Sequence, residues 1–239
     1  MDLQSRGYMH PSHSLSRSTQ QIPSTARPTR LSSRRPFHCR TKCSIAVAEP
    51  SISTKTLNAQ GQMRLVMMRH AESEERLQGI RDHDRPITDE GRSSAREVAA
   101  KLAERGWLPD VIVSSDSTRT KQTLAMMAEA HPAFQEAATL FRGSLYTVAA
   151  LDGQTRKHLQ EVVTAEVDQR AEQVQCVLCL GHNKGMEEAA TSLAGNAVRL
   201  ETANAALLQK LGDSWQEALA EEHAWDLVEV LIPKSQLQH

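Results

Sequence analysis

Three short apolar runs, RLVMMR at 64 to 69, DVIVS at 110 to 114 and CVLCLG at 176 to 181, constrain this chain more than any other feature. None alternates with polar residues, which is the pattern of a strand covered on both faces rather than on one. Each gives way at once to small and polar residues and then to a helix-like segment: MMRHAES, IVSSDSTRTKQT and LCLGHNKGMEE. Strands alternating with helices predict a three-layer α/β/α fold, with a central, mostly parallel sheet and helices on both faces. Further strands are expected at 205 to 211 (AALLQKL) and 225 to 232 (WDLVEVLI).

The clearest helix is TDEGRSSAREVAAKLAERG, where Ala95, Val98, Ala99, Leu102 and Ala103 share one face. Thr88 or Asp89 is placed to cap its free amides, acids in the first turn suit the dipole, and Gly106 follows as a left-handed terminator. Other helices are predicted from Thr118 to just before Pro132, from about Asp152 through Leu159 to Val163, and from about Lys184 to Leu193. Residues 134 to 151 carry no clear period, and 234 to 239 read as a loose tail.

No stretch approaches the roughly 18 apolar residues of a membrane-spanning helix, so neither a membrane nor, given the charge, a nucleic-acid partner is expected for the folded part. The formal net charge of -1 averages two unlike segments. Residues 1 to 48 hold eight Lys or Arg and one acid, Asp2; the 20 basic and 28 acidic residues beyond leave about -8. This first segment is rich in Ser, Arg, Thr and Pro and lacks the apolar centre of a secretory signal, the composition of an organelle transit peptide. The string SIAVA before Glu49 resembles a stromal processing site, which favours a plastid, with a mitochondrion second. A basic tail that binds nucleic acid or an acidic partner is the competing reading. Residues 49 to 62 read as a polar linker and 63 to 233 as the folded domain.

Cys39 and Cys43 fall in the presequence. Cys176 and Cys179 form a CxxC, but in a strand residues three apart face opposite sides of the sheet, so two packed, reduced thiols are expected rather than a shared metal or disulfide.

In an open α/β sheet, ligands bind beyond the carboxyl ends of the strands. If the three apolar strands are parallel, their following loops bring Arg69, His70, Arg119 and His182 to one edge. Two guanidiniums offer forked, permanently charged donors to a dianionic phosphate, and the helix starts add amides of the same sign. Two imidazoles in such a pocket suggest covalent phosphoryl transfer: one attacks phosphorus, with its tautomer fixed through the other ring nitrogen, and water then hydrolyses the phosphohistidine. His83, His131, His158 and His223 have no comparable setting and receive no chemical role. No cofactor is expected, and no metal, because the two histidines come without the carboxylate or thiolate partners of a cation site.

At these residues the sequence resembles the histidine phosphatase superfamily, and within it the small SixA-type branch of phosphohistidine phosphatases. The resemblance runs through RHAESE, DHDRPITDEGR, PDVIVSSDSTRTKQT, the Leu145-Tyr146 pair and VLCLGHNKGMEE, in order along residues 63 to 232. It implies a phosphoglycerate mutase-like fold without a large cap insertion, in keeping with the short spacing from Thr120 to His182. It also implies His70 as nucleophile, Arg69 and Arg119 as the phosphate clamp, and His182 as the second histidine, donating to the transferring group. Asp84 and Arg85 match the block as well; for Arg85 either loop organisation or phosphate contact is expected. Larger relatives carry a dedicated carboxylic acid for the leaving group, whereas here Asn183 follows His182; Glu72 and Asp82 are the candidate proton donors. The substrate implied is phosphohistidine on a protein or a small phosphate ester. A catalytically idle phosphate- or phosphoprotein-binding module is the alternative.

Overall fold

The computed structural model describes residues 61–75, 79–148, 155–170 and 173–238, all within one compact unit, Ser53–His239. The expected transit peptide, Cys39, Cys43, nearly all of the linker and the helix start near Asp152 lie outside the described residues.

The three apolar runs are strands β1 (Gln62–Arg69), β2 (Val111–Ser115) and β4 (Cys176–Gly181), and every residue of β2 and β4 is buried. With β3 (Ala138–Arg142), β5 (Ala205–Leu211) and β6 (Asp226–Leu231) they form one sheet in the order β3-β2-β4-β1-β5-β6. β3, β2, β4 and β1 are mutually parallel, β5 runs antiparallel to β1, and β6 antiparallel to β5. The expected mostly parallel sheet is therefore present.

The period of two along each strand divides the core into two layers. Leu65, Met67, Val177 and Cys179 pack with Leu159 and Val163 of α5 (Thr155–Val167), Met186 and Leu193 of α6 (Asn183–Ala194) and Trp215 of α7 (Trp215–Ala220). On the other side Val66, Met68, Ile112, Leu178 and Leu180 meet Val98 and Leu102 of α1 (Asp89–Glu104) and Leu124 and Met127 of α2 (Thr118–Ala130). The result is the α/β/α sandwich. Leu102 is fully buried, so its truncation to alanine is worth roughly 2–5 kcal/mol. Cys176 and Cys179 fall in opposite layers as free buried thiols, and burial pushes the Cys179 thiol up to about 12.

Helix α1 starts as its sequence predicts: Thr88 accepts from the Gly91 amide at 3.0 Å. The start is held against the loop after β1 by Thr88 N to Glu72 O (3.0 Å) and by a bridge between Ser73 and Ile87. A Cβ at Gly91 would lie 2.3 Å from Glu72 O, so only glycine permits this approach.

Two stretches differ from expectation. Residues without a clear period form α3 (Ala133–Glu136), β3 and α4 (Ser144–Val148); β3 is an edge strand with no buried residue, so its pairing with β2 leaves little apolar pattern. The expected loose tail is a 3-10 turn, Lys234–Gln238. The Lys234 amide bonds to Glu97 (3.1 Å) and the Gln236 side chain to Thr202 O (2.8 Å). No helix of the described residues is long and apolar enough to cross a membrane.

Candidate active site

Parallel register brings the strand ends together: Arg69 lies opposite Gly181, and Leu180 is paired with Met68 on one side and Ser114 on the other. The backbone of His70 is pinned from both sides, its N–H to Gly181 O and its C=O from the Ala203 N–H, each at 3.0 Å. His70 Nδ1 lies 2.8 Å from Ala71 O. A carbonyl only accepts, so Nδ1 carries the proton and Nε2 keeps its lone pair. Among the described residues Nε2 has no hydrogen-bond partner. The ring is buried, and burial, aided by Arg119, His182 and Arg69 against the pull of the Ala71 carbonyl, holds its pKa down at about 3. His70 is thus neutral, with a free Nε2.

His182 occupies the N-cap position of α6, its ring centroid 5.3 Å from that of His70. Its Nδ1 faces Arg119 Nη2 at 3.3 Å and its Nε2 faces Ser115 Oγ at 2.9 Å. A guanidinium only donates, so Nδ1 accepts and the proton sits on Nε2, the opposite tautomer to that of His70. Burial, then the Arg119 charge, lowers its pKa to about 4.

Arg119, in the first turn of α2, is 5% exposed. Its Nη1 donates to Asp82 O (2.5 Å) and its Nη2 to Asp82 Oδ2 (3.0 Å), while Nε is buried without a partner. Arg69 Nη1 donates to Leu200 O (3.1 Å), and its Nε is also buried and unpaired. Buried orphan donors on two guanidiniums, Arg119 buried and Arg69 half-buried, are costly unless a ligand accepts from them. Thr123 joins the two halves of the site, accepting from Ala71 N (3.0 Å) and donating to Arg119 O (2.7 Å).

The remaining expected residues line up less simply. Asp82 opens a 3-10 turn, Asp82–Asp84, and accepts from Tyr146 OH at 2.8 Å. Burial would raise its carboxyl, but the Tyr146 hydroxyl, Arg119 and Arg85 outweigh it and hold the pKa at about 2. In this setting Asp82 is an ionised acceptor that positions Arg119, which speaks against the expected role of proton donor. Glu72 is exposed and accepts from Thr88 Oγ1 (3.1 Å); among the described residues it makes no hydrogen bond or ion pair with the arginines or histidines of the site. Arg85 bonds Glu74 O (2.9 Å) and pairs with Asp82 Oδ1 (3.0 Å), contacts that organise the loop, while its Nε is buried without a partner. Sequence reasoning gave no role to Ser115, Thr123, Tyr146 or His83. Of these, only Tyr146 left a signal, in its Leu-Tyr pair. His83 has Asp84 at one ring nitrogen and Asp116 at the other, each at 3.0 Å.

The model of the histidine phosphatase superfamily (branch 1) matches residues 65–190. An Arabidopsis thaliana protein described as uncharacterised and chloroplastic is 43% identical over 176 residues, 73% of this chain and 79% of that one. Among solved structures, the protein histidine phosphatase SixA complexed with tungstate is similar with a TM-score of 0.57 and 16% identity, over 73% of this chain and 99% of that one. A candidate phosphohistidine phosphatase SixA from Agrobacterium tumefaciens gives a TM-score of 0.56 and 23% identity, over 72% and 98%. At these identities the two solved structures establish the fold.

Proposed function

The chain belongs to the histidine phosphatase superfamily, branch 1, and from that premise we propose that it hydrolyses phosphorylated substrates through a phosphohistidine at His70. One observation carries the proposal: a neutral imidazole with Nδ1–H fixed on Ala71 O and Nε2 free, next to two guanidiniums with unpaired buried donors. The Nε2 lone pair attacks phosphorus as the bond to the leaving group breaks, and the leaving atom keeps that electron pair. The ring, now phosphorylated at Nε2 and protonated at Nδ1, is cationic and is stabilised by the Ala71 carbonyl. Arg69 and Arg119 neutralise the phosphoryl oxygens, so that no metal is needed for that task, and His182 gives its Nε2–H to the group in flight in place of Ser115 Oγ. Water then attacks phosphorus, the electron pair returns to Nε2, and phosphate departs with the proton passed to solvent.

The proton inventory supports one substrate class. Asp82 is held ionised and both histidines are neutral, so an alkoxide leaving group would find no strong acid. An imidazole leaving group accepts a proton at its second nitrogen from solvent and departs neutral. Phosphohistidine on a protein is therefore the preferred substrate, ahead of a small phosphate ester, within the domain of residues 63 to 233. The SixA likeness supports the same class. Phosphate release from a phosphohistidine peptide should depend on His70, and label trapped on the wild type should survive alkali but not acid. Equal release by wild type and His70→Ala would overturn the proposal; so would binding without release by both, the behaviour of an idle module. We also place the protein in the plastid stroma, on the composition of residues 1 to 48 and the chloroplastic relative. A mature amino terminus near Glu49 in isolated plastids is expected, and an intact Met1 would refute it.

A further inference from the structure

Outside the four residues assigned to chemistry, one group of side chains is built to hold something in place. His83 sits in the Asp82–Asp84 turn with Nδ1 3.0 Å from Asp84 Oδ1 and Nε2 3.0 Å from Asp116 Oδ1. Carboxylates only accept, so each ring nitrogen carries a proton and the ring is an imidazolium between two anions. Asp116 follows the last residue of β2, Ser115, whose hydroxyl meets His182. Asp84 belongs to the turn that begins with Asp82, whose carbonyl and carboxylate hold Arg119. The bridge therefore ties the segment that presets the phosphate clamp to the strand that presents the second histidine. The ring also meets Tyr146 edge-on, with centroids 5.1 Å apart, and Tyr146 meets His182 edge-on at 5.0 Å.

We propose that His83 is a positioning residue, an imidazolium strut between Asp84 and Asp116 that sets Asp82 and, through it, the Arg119 guanidinium for the phosphoryl group. The role rests on the phosphatase reading of the site. Charge on the strut is favoured by Asp116 and Asp84. The neighbouring charges are Arg81 on Asp84, Lys121 near Asp116, Asp82 with its partners Arg119 and Arg85, and the neutral His182. Its hydrogen bonds to Asp116 and Asp84 raise the pKa of His83 above its ordinary value. The strut therefore keeps its charge to higher pH than a free imidazole would, and is lost as pH rises through that raised value. Since the ring is about one-third exposed, solvent moderates the effect.

Tungstate binding separates this role from ordinary packing, because the anion keeps its charge from about pH 7 to 10. With the full-length protein, the wild type should bind tungstate with an affinity that falls as His83 deprotonates, its titration followed by NMR of the ring. His83→Gln should bind about fivefold to tenfold more weakly at pH 7 and lose that pH step. Asp116→Asn, which leaves His83 one carboxylate, should move the step to lower pH. If His83→Gln unfolds, Asp116→Asn and the wild-type titration still decide. Wild-type affinity and pH profile in His83→Gln, an unmoved step in Asp116→Asn, or His83 titrating without any change in affinity would each overturn the strut. Failure of the wild type to bind tungstate at all would instead overturn the phosphate-site reading and the strut with it.

Discussion

Replacing Arg119 tests the phosphate clamp most directly. The guanidinium is almost fully buried, with Nη1 and Nη2 held by Asp82 and Nε unpaired. An oxyanion in the pocket gains the Nε proton outright and competes with Asp82 for one on Nη2. Two charge-assisted bonds contribute roughly 3–6 kcal/mol, and about 1–2 is returned because Asp82 gives up part of its bond. The net loss of about 2–4 kcal/mol in Arg119→Ala corresponds to tungstate binding weaker by about 30- to 10³-fold. Arg119→Lys keeps the charge without the fork and should lose about tenfold. Asp82 retains Tyr146 and Arg85, so the fold should survive, as a thermal melt will show. Calorimetric titration gives the affinities, and NMR adds a second readout. The Arg119 charge depresses both site histidines, so in Arg119→Ala the pKa values of His70 and His182 should both rise. An affinity within twofold of wild type, or histidines that do not move, would refute the placement of this guanidinium against the anion.

Between pH 6.5 and about 4 the unfolded chain takes up protons at His70 and His182 that the folded site resists, so stability should fall with pH. Each histidine gives a slope approaching 1.4 kcal/mol per unit, while His70→Phe should remove one share; equal slopes in urea unfolding would contradict the burial argument. Gly91→Ala drives a methyl into the Glu72 carbonyl and should cost about 2–4 kcal/mol, read as a lowered unfolding midpoint. Thr123→Val leaves the Ala71 amide without its acceptor, at about 1–3 kcal/mol. Because the adjacent Ala71 carbonyl fixes His70, kcat should drop more than KM rises; an unchanged kcat would rule out that link.

What the sequence disclosed was whatever depends on neighbours along the chain. β2 and β4 are continuously apolar because both faces are covered, and the expected site residues lie at or just after strand ends, so both the sheet and the grouping of Arg69, His70, Arg119 and His182 could be read. β3 could not, since its place is set by register with β2 at Val111 and Ala138 rather than by its own pattern. The state of Asp82 was equally hidden: as a carboxyl in a loop it looked like an acid, and only Tyr146, 64 positions away, with Arg119 and Arg85, makes it a fixed anion. His83 looked idle because both of its carboxylates matter only once β2 has brought Asp116 to the turn.

The two site histidines show how identical side chains acquire different tasks. A backbone carbonyl faces Nδ1 of one, and an arginine faces Nδ1 of the other. The first must hold its proton at Nδ1 and expose a lone pair; the second must accept at Nδ1 and keep its proton at Nε2. Burial keeps both neutral, since a charged first histidine would lose its lone pair and a charged second one would repel Arg119. The same neutrality removes the site's best acid, and Asp82 cannot replace it without releasing the clamp it holds. If the proposed chemistry holds, such a pocket leaves the departing group to take its proton from solvent, a requirement met by a leaving imidazole and poorly by an alkoxide.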